Sequence, residues 1–244
     1  MSGHNKWANI KHRKGAQDAK KGKIFTKIIK ELTVAARTGG GDASGNPRLR
    51  IAIEKAREAN MPKDTMEKAI KRGTGELDGV NYEEYTYEGY GDGGVAVLMD
   101  IMTDNKNRTS GEVRNIFSKN SGAMAEAGAV AWNFERKGSI TLSGVKEDEV
   151  MDLAIENGAE DIQSDGDFVN IYCMPENFED LKKAIAAKFP NLQSEITMVP
   201  KTMVEVKDKE VAERVFKLLE LLEDHDDVQK VYSNIDVDDS LLEG

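Results

Sequence analysis

The spacing of apolar residues changes from helical to alternating close to residue 79. Before that point apolar residues recur at helical intervals, as in Ile24, Ile28, Leu32 and Ala35. After Gly79 they alternate with polar residues, which is typical of strands with one buried face. The chain therefore cannot be all helix or all strand, and we expect a helical N-terminal region followed by mixed structure.

Three short helices are predicted between residues 24 and 73. The first ends at Gly39-Gly40-Gly41, because consecutive glycines disfavour helix. The second begins at Asn46-Pro47, with Asn as the N-cap and Pro at the first helical position. The third opens near Pro62 and ends at Gly73, after two basic residues that suit a helix C-terminus.

The remainder of the chain has the pattern of two α/β units, one inside the other. A hairpin is predicted over residues 82–102, a helix capped by Thr109 to Glu112, and a strand from Val130 to Phe134. Residues 137–200 then follow the order βαββαβ, the ferredoxin-like pattern. Residues 203–232 supply a further strand, helix and strand, which resemble the missing half of the earlier unit.

These patterns predict the fold class α+β. We expect an N-terminal three-helix domain with a basic arm, followed by two ferredoxin-like α/β sandwich domains, the last inserted into the middle one. The predicted domains are residues 1–78, residues 79–136 together with 201–244, and residues 137–200.

Charge is distributed very unevenly along the chain. There are 34 basic and 44 acidic residues and a formal net charge of -10, which alone would indicate a protein that nucleic acid repels. Residues 1–75, however, hold 18 basic against 7 acidic residues, a net +11, and the rest holds 16 against 37, a net -21. A cationic region on an anionic body can bind a phosphate backbone locally.

Residues 2–23 are basic and show no apolar periodicity. We interpret them as a mobile basic arm that binds nucleic acid, with Trp7 placed to stack on an unpaired base. A solvated tail is the alternative, less favoured because the rest of the chain is already strongly anionic. The second helix could extend the patch, although a solvated face is equally compatible, since Arg50 and Glu54 have ion-pair spacing. The candidate nucleic-acid-binding residues are Lys6, Trp7, Lys11, His12, Arg13, Lys14, Lys20, Lys21, Lys23, Lys27, Arg48 and Arg50.

Two connections are candidate contact loops. Residues 100–109 join a strand end to a helix start and carry many polar side chains, although an Asx-rich turn that satisfies its own backbone is the favoured interpretation. Residues 119–128 are rich in Gly and Ala and are interpreted as a mobile contact loop. The candidate contact residues in this second loop are Ser121, Gly122 and Met124.

Several classes of site are disfavoured by the sequence. The run Gly89 to Gly94 precedes a strand rather than a helix, so it is predicted to be a hairpin turn and not a phosphate-binding loop. The spacing of Cys and His residues suits neither a metal ion nor a nucleophile with its base. We therefore expect no metal, no cofactor and no small-molecule substrate. Paired carboxylates could still do acid/base chemistry, but a solvated acidic surface is the favoured interpretation.

The longest run without Asp, Glu, Lys or Arg is eight residues, whereas a membrane-spanning helix needs about 18 apolar residues. The N-terminus has no apolar stretch typical of a secretory signal. The single cysteine, Cys173, cannot form an intrachain disulfide, which favours a reducing compartment. We therefore expect a cytoplasmic protein with no membrane partner.

Five stretches of the sequence are similar to the YebC family: residues 2–14, 60–73, Tyr-Glu-Gly-Tyr-Gly at 87–91, Thr-Asp-Asn-Lys-Asn-Arg-Thr at 103–109, and Ala-Val-Ala-Trp-Asn-Phe at 129–134. The resemblance spans nearly the whole chain and implies a three-domain α+β protein, usually described as a probable transcriptional regulator that binds DNA. Mitochondrial members act as translational activators of cytochrome c oxidase subunit I. Bacterial members have been linked to ribosomes and to difficult peptide-bond formation.

This resemblance also implies particular contact residues. In the arm they are Lys6, Trp7, Lys11, His12 and Lys14, and in the first contact loop they are Asp104, Asn105, Asn107 and Arg108. Two places depart from the family pattern. Asp92 stands where the family has Pro, and Ser121 to Met124 replace a loop richer in Gly, Asn and Leu.

We therefore expect a non-enzymatic, nucleic-acid-binding regulator of gene expression, first of all a DNA-binding transcriptional regulator. A translation factor associated with the ribosome or rRNA, assisting difficult peptide-bond formation, is the alternative. The expected partners are DNA, rRNA or tRNA, and the ribosome. An enzyme that uses Asp100, Asp104 and Arg108, and a protein adaptor that works through the anionic domains, are the other classes considered.

Overall fold

A computed structural model describes residues 21–237 of the chain. The N-terminal part contains three helices, α1 (Lys21–Gly39), α2 (Pro47–Glu58) and α3 (Lys63–Thr74), so the three-helix prediction is confirmed. Helix α1 begins at Lys21, three residues before the predicted apolar stripe. Lys21 and Lys23 therefore belong to a helix and not to the predicted arm.

The end of α1 and the start of α2 are joined through one side chain. Asn46 is the N-cap of α2, and its oxygen accepts the Leu49 N–H at 3.0 Å. Its amide nitrogen donates to the carbonyls of Ala35 and Gly40 at 2.8 Å. The buried face of the three helices forms one apolar cluster that includes Leu32, Leu49, Ala52, Ala56, Met61 and Ala69.

Helices α1 and α3 approach closely at Gly73. A Cβ atom at this position would overlap the Thr33 carbonyl oxygen and lie 2.8 Å from the Ala36 Cβ. Only glycine lets the two backbones pack at this separation.

The middle of the chain builds a four-stranded antiparallel sheet in the order β3-β1-β2-β9. Its strands are β1 (Glu83–Tyr90), β2 (Ala96–Thr103), β3 (Ala123–Ala125) and β9 (Val228–Ser233). Helices α4 (Lys106–Lys119) and α7 (Lys209–Glu223) cover one face. The alternation of β2 places Val97, Met99 and Ile101 against these helices, as period-two spacing requires.

A second antiparallel sheet has the order β5-β6-β4-β7. It consists of β4 (Phe134–Ser143), β5 (Ala159–Asp165), β6 (Phe168–Cys173) and β7 (Leu192–Pro200), with helices α5 (Glu147–Glu156) and α6 (Phe178–Lys188). In chain order this is βαββαβ, so the ferredoxin-like prediction is confirmed. The crossover β2–α4–β3 of the first sheet matches the crossover β4–α5–β5 of the second. Both crossovers skip one strand, but the strand orders differ: counted along the chain, the first sheet reads third-first-second-fourth and the second reads second-third-first-fourth.

The structure corrects three local predictions. Helix α4 begins at Lys106 with Asn105 as its N-cap, not at Thr109. Residues Ala131–Asn133 form a short 3-10 turn rather than a strand, and Phe134 instead begins the long strand β4. Part of the predicted mobile loop pairs with β1 as strand β3.

After β7 the chain returns to the first sheet. Strand β8 (Val204–Val206) pairs in parallel with β10 (Ile235–Val237), and helix α7 with strand β9 lies between them in sequence. The order of elements is that of an inserted unit. The boundaries at residues 78, 136 and 200 stay predictions.

Within residues 21–237, every helix is too short or too polar to cross a membrane.

Candidate nucleic-acid interface

Two lysines of helix α1, Lys23 and Lys27, contact the C-terminal end of helix α7. Lys23 Nζ lies 3.5 Å from the Asp224 carboxylate, and Lys27 Nζ donates to the Glu223 carbonyl at 2.5 Å. The last carbonyls of a helix carry partial negative charge, so an ammonium group is favourable there. These two predicted nucleic-acid ligands therefore connect the N-terminal helices to the middle domain.

Lys30, one turn further along α1, is buried in the same contact. Its ammonium group donates to the Asp227 carboxylate and to the carbonyls of Asp226, at 2.8 Å, and Met102, at 3.3 Å. Lys30 is 5% exposed and Asp227 is 4% exposed. A buried ion pair needs such additional hydrogen bonds to offset the loss of hydration.

Asp227 collects further donors from helix α4. Its second oxygen accepts from Thr109 Oγ1 at 2.6 Å and from the Arg108 guanidinium at 2.8 Å. Burial alone would raise the pKa of Asp227, but the hydrogen bonds from Lys30, Thr109 and Arg108 outweigh it and hold the pKa well below its usual range. Asp227 is therefore an anion at neutral pH that joins three segments distant in sequence.

The first candidate contact loop lies at the start of α4. Asn105 Oδ1 accepts the Arg108 N–H at 3.1 Å, and the Arg108 guanidinium pairs with Asp104 at 2.9 Å and with Asp227. Asn107 is exposed in the first turn of the helix. The loop therefore forms hydrogen bonds with its own backbone, as expected for an Asx-rich turn. The ion pairs of Arg108 lie within the protein and contribute to the fold.

The side chains of Glu112 and His225 lie beside Asp227, and their oxygen and nitrogen atoms are close enough to hold a metal ion. His225 Nδ1 accepts the Asp227 N–H at 3.1 Å, so its Nε2, 2.9 Å from Glu112, carries the proton in the neutral tautomer. Lys30 and Arg108 already neutralise Asp227 and would repel a cation. The group is better explained as a hydrogen-bonded link than as a metal site.

Arg48 and Arg50 lie in different environments on helix α2. Arg48 bridges two carboxylates, with Nε 2.8 Å from Glu31 and Nη2 2.7 Å from Glu84. Arg50 is exposed and forms no ion pair with Glu54, although both lie in the described part of the chain. Arg48 is thus a link between α2 and strand β1, whereas Arg50 is open to solvent.

Helices α2 and α3 each carry an exposed basic stripe. The members recur at helical spacing, and none makes a side-chain hydrogen bond or ion pair with another residue in the range 21–237. They are Arg50 and Arg57 on α2, and Lys68, Lys71 and Arg72 on α3. These guanidinium and ammonium groups remain available for phosphate oxygens.

The arm residues lie outside the described part of the chain: Lys6, Trp7, Lys11, His12, Arg13, Lys14, Lys20 and the side chain of Lys21.

The second candidate contact loop is packed against the middle domain. Ser121 adopts a left-handed conformation with a φ of 57°. A Cβ atom on Gly122 would lie 2.8 Å from the Tyr90 carbonyl oxygen and 2.9 Å from the Phe117 ring. Met124 lies in β3 and is partly buried against the core. This loop is therefore held in place at these three positions.

The residues that follow this loop are organised by Glu88, a buried carboxylate that is 4% exposed. Its oxygens accept the N–H groups of Gly128 and Val130 at 2.6 Å and of Ala131 at 2.8 Å. Burial would raise the pKa of Glu88, but these three N–H donors hold it below its usual value. No local pattern predicts this role, because Glu88 lies in strand β1 together with Glu83 and Glu84.

Two exposed aromatic side chains meet at this segment: Trp132 lies within it, and Tyr90 reaches it from the end of β1. Trp132 is 67% exposed and Tyr90 is 39% exposed. The Trp132 Nε1–H donates to the Ala129 carbonyl at 3.0 Å, and the Tyr90 hydroxyl donates to the same oxygen at 2.9 Å. Sequence alternation had suggested a strand here, and the only available signal of exposure was the run of small residues before Trp132.

Comparison with known proteins finds two family models. The model described as the TACO1/YebC protein N-terminal domain matches residues 5–76, and the model of the TACO1/YebC second and third domain matches residues 82–235. Curated relatives align over the whole chain. A probable transcriptional regulatory protein of Dictyoglomus thermophilum is 57% identical over 100% of this chain and 99% of its own length. One from Fervidobacterium nodosum is 58% identical over 100% and 97%.

A crystal structure of a conserved hypothetical protein from Aquifex aeolicus is also similar. The two chains share 45% identity, with a TM-score of 0.80 over 91% of this chain and 92% of the other.

Proposed function

Since the chain belongs to the TACO1/YebC family, whose relatives are named as probable transcriptional regulatory proteins, we propose that it is a non-enzymatic, cytoplasmic regulator of gene expression that binds DNA. The observation that carries this proposal is the pair of exposed basic stripes on α2 and α3, whose members make no ion pair within residues 21–237. Residues 1–20, with five basic residues against one acidic residue, add charge at the same end of the chain.

Two sets of basic residues in the N-terminal region have different roles in this proposal. Lys23 and Lys27 attach helix α1 to the end of α7, and Lys30 attaches it to Asp227, which follows that helix. The basic stripes and the arm are the groups that bind the phosphate backbone and release its counterions. This release is the main source of affinity for nucleic acid without sequence preference. The anionic body limits the contact to one end of the molecule.

The test is a charge reversal on α2, Arg50→Glu together with Arg57→Glu, measured by fluorescence anisotropy with labelled duplex DNA over a series of salt concentrations. The affinity should fall, and the slope of log K against log salt should become less steep by about one per lost phosphate contact. The matched control is Lys183→Glu together with Lys217→Glu, two exposed lysines on α6 and α7, which should leave both quantities unchanged. Equal effects of the two charge reversals would refute a local basic surface.

A translation factor that binds rRNA or the ribosome is a second candidate. It is favoured by the exposed Trp132 and Tyr90, because RNA is recognised largely through unpaired bases that stack on aromatic rings. Sedimentation of the cellular protein on a sucrose gradient separates the two candidates. Co-migration with ribosomal particles that survives DNase treatment supports the translation factor, and its absence supports the DNA-binding regulator.

A further inference from the structure

We infer that Trp132 and Tyr90 form a stacking platform for an unpaired nucleobase, next to a phosphate contact supplied by Lys201. This inference rests on the proposed nucleic-acid binding and adds to it the form of nucleic acid that is bound: a segment with unpaired bases.

Trp132 is largely exposed, but its polar N–H group is already occupied. Its N–H group already donates to the Ala129 carbonyl at 3.0 Å, while the residue is 67% exposed. An indole whose only donor is occupied can still stack, because stacking uses the π-face. The exposed indole therefore suits a flat ligand that needs no hydrogen bond from the tryptophan.

Tyr90 extends the same surface. Its hydroxyl donates to the Ala129 carbonyl at 2.9 Å, so the two donor atoms converge on one oxygen. Tyr90 belongs to strand β1 and is paired there with both β2 and β3. A side chain on a paired strand loses little additional freedom when a ligand binds, which favours affinity.

The segment that carries Trp132 is held on both sides. Before it, the buried Glu88 carboxylate accepts the N–H groups of Gly128, Val130 and Ala131. After it, Asn133 accepts the Thr202 N–H at 2.8 Å and donates to the Thr202 carbonyl at 2.9 Å. A rigid and exposed indole is the arrangement expected of a recognition surface, since an unconstrained one would gain by folding back onto the protein.

Lys201 gives the platform a neighbouring positive charge. Its backbone N–H donates to the Asn133 carbonyl at 2.7 Å, which places it directly beside the turn that bears Trp132. Its side chain is exposed and makes no hydrogen bond or ion pair with any residue between 21 and 237. Single-strand binding surfaces combine stacking aromatics with such cations along the backbone.

The test compares three labelled ligands of equal length: a single strand, the same strand with abasic sites throughout, and a duplex. Trp132→Ala should weaken binding of the single strand by about five-fold to about 150-fold, the equivalent of about 1–3 kcal/mol for one base stack. Binding of the abasic strand and of the duplex should not change. Trp132→Phe, which keeps a ring, should recover most of the affinity.

Two further variants separate stacking from charge. Lys201→Gln should weaken the single strand and the abasic strand alike, because a phosphate contact does not depend on the base. Ile155→Ala removes a comparably exposed apolar side chain on α5, 59% against 67% for Trp132, and should not change the affinity for any of the three ligands. In a Trp7→Phe background Trp132 is the sole tryptophan, and its fluorescence should be quenched by the single strand but not by the abasic strand.

The outcomes distinguish this inference from the proposed function. If the wild type binds none of the three ligands, both are wrong. Two results would refute the platform while nucleic-acid binding stands. In one, Trp132→Ala binds the single strand as tightly as the wild type does. In the other, Trp132→Ala loses as much affinity for the abasic strand as for the single strand.

Discussion

Removal of the Asp227 carboxylate should detach helix α1 from the middle domain. Asp227 and Lys30 are 4% and 5% exposed, and the Asp227 carboxylate also accepts hydrogen bonds from Thr109 and Arg108. In Asp227→Ala the Lys30 ammonium would remain buried with only two carbonyl acceptors. Loss of one partner of a buried ion pair costs about 3–5 kcal/mol. Asp227→Asn keeps the shape and one acceptor oxygen, so we expect a cost near the lower end of that range.

Hydrogen exchange followed by mass spectrometry measures this loss locally. The amides of α1 should exchange faster in Asp227→Ala by a factor of at least about 100, the equivalent of about 3 kcal/mol. The matched control is Glu84→Gln, which removes a more exposed partner of Arg48 and should cost about 1 kcal/mol or less. If both variants change α1 exchange equally, the buried pair does not hold the helix.

The same pair predicts the response to acid. Because the pKa of Asp227 is held below its usual range, its stabilising effect is complete above the pKa of an unfolded Asp, about 3.9, and is lost as the pH falls further. Denaturant titrations of the wild type should therefore show a loss of stability below about pH 4. Asp227→Asn should lose less stability than the wild type between neutral pH and low pH. If the two proteins lose the same stability below about pH 4, Asp227 is not the group responsible.

Three further predictions concern packing and the Glu88 segment. Gly89→Ala should destabilise the protein by about 1–3 kcal/mol in urea titrations, because the new Cβ would lie 2.6 Å from the Phe117 ring. Gly111→Ala on helix α4 is the control, because its new Cβ would have no other atom within 4 Å. This second variant should stabilise the protein by about 0.5–1 kcal/mol. Glu88→Gln should increase amide exchange at residues 128–131, because the carboxylate holds the N–H groups there, and no change would refute that role. Ile140→Ala, at a fully buried position, should cost about 2–5 kcal/mol and raise exchange mainly in the second sheet; equal effects in both sheets would contradict separate cores.

Much of the architecture could be predicted from local patterns. The helical spacing at Ile28 and Leu32, the Asn46-Pro47 start signal and the βαββαβ order of residues 137–200 are all features that neighbours in sequence create. The family was also predictable, because its motifs are spread along the whole chain. These features depend little on contacts between distant residues.

The site could be predicted only in part, because its contacts join residues far apart in sequence. Nothing near Lys30 indicates that its partner is Asp227, 197 positions away. The mean charge of a segment likewise does not separate Arg48, which pairs with Glu31 and Glu84, from Arg50, which is exposed. The charge distribution predicts which end of the chain is cationic. Only the tertiary structure shows which of its basic residues are paired within the protein and which are exposed.

The position of Trp132 differs most from what the local pattern predicts. Alternation of Val130, Trp132 and Phe134 has the period of a strand, and a tryptophan in a strand is usually buried. The carboxylate of Glu88 instead draws three backbone N–H groups toward itself and turns the segment at Ala131. A distant hydrogen-bond acceptor therefore overrode the local preference.

The most direct test of nucleic-acid binding by the cationic end measures the salt dependence of affinity for duplex DNA and for an rRNA fragment. The intact chain is compared with a variant that lacks residues 1–20 and a variant that carries Arg50→Glu and Arg57→Glu. Both changes should lower the affinity and flatten the slope of log K against log salt, while the amide exchange of the two sheets stays the same. Equal affinity and an equal slope for all three proteins would contradict the proposal.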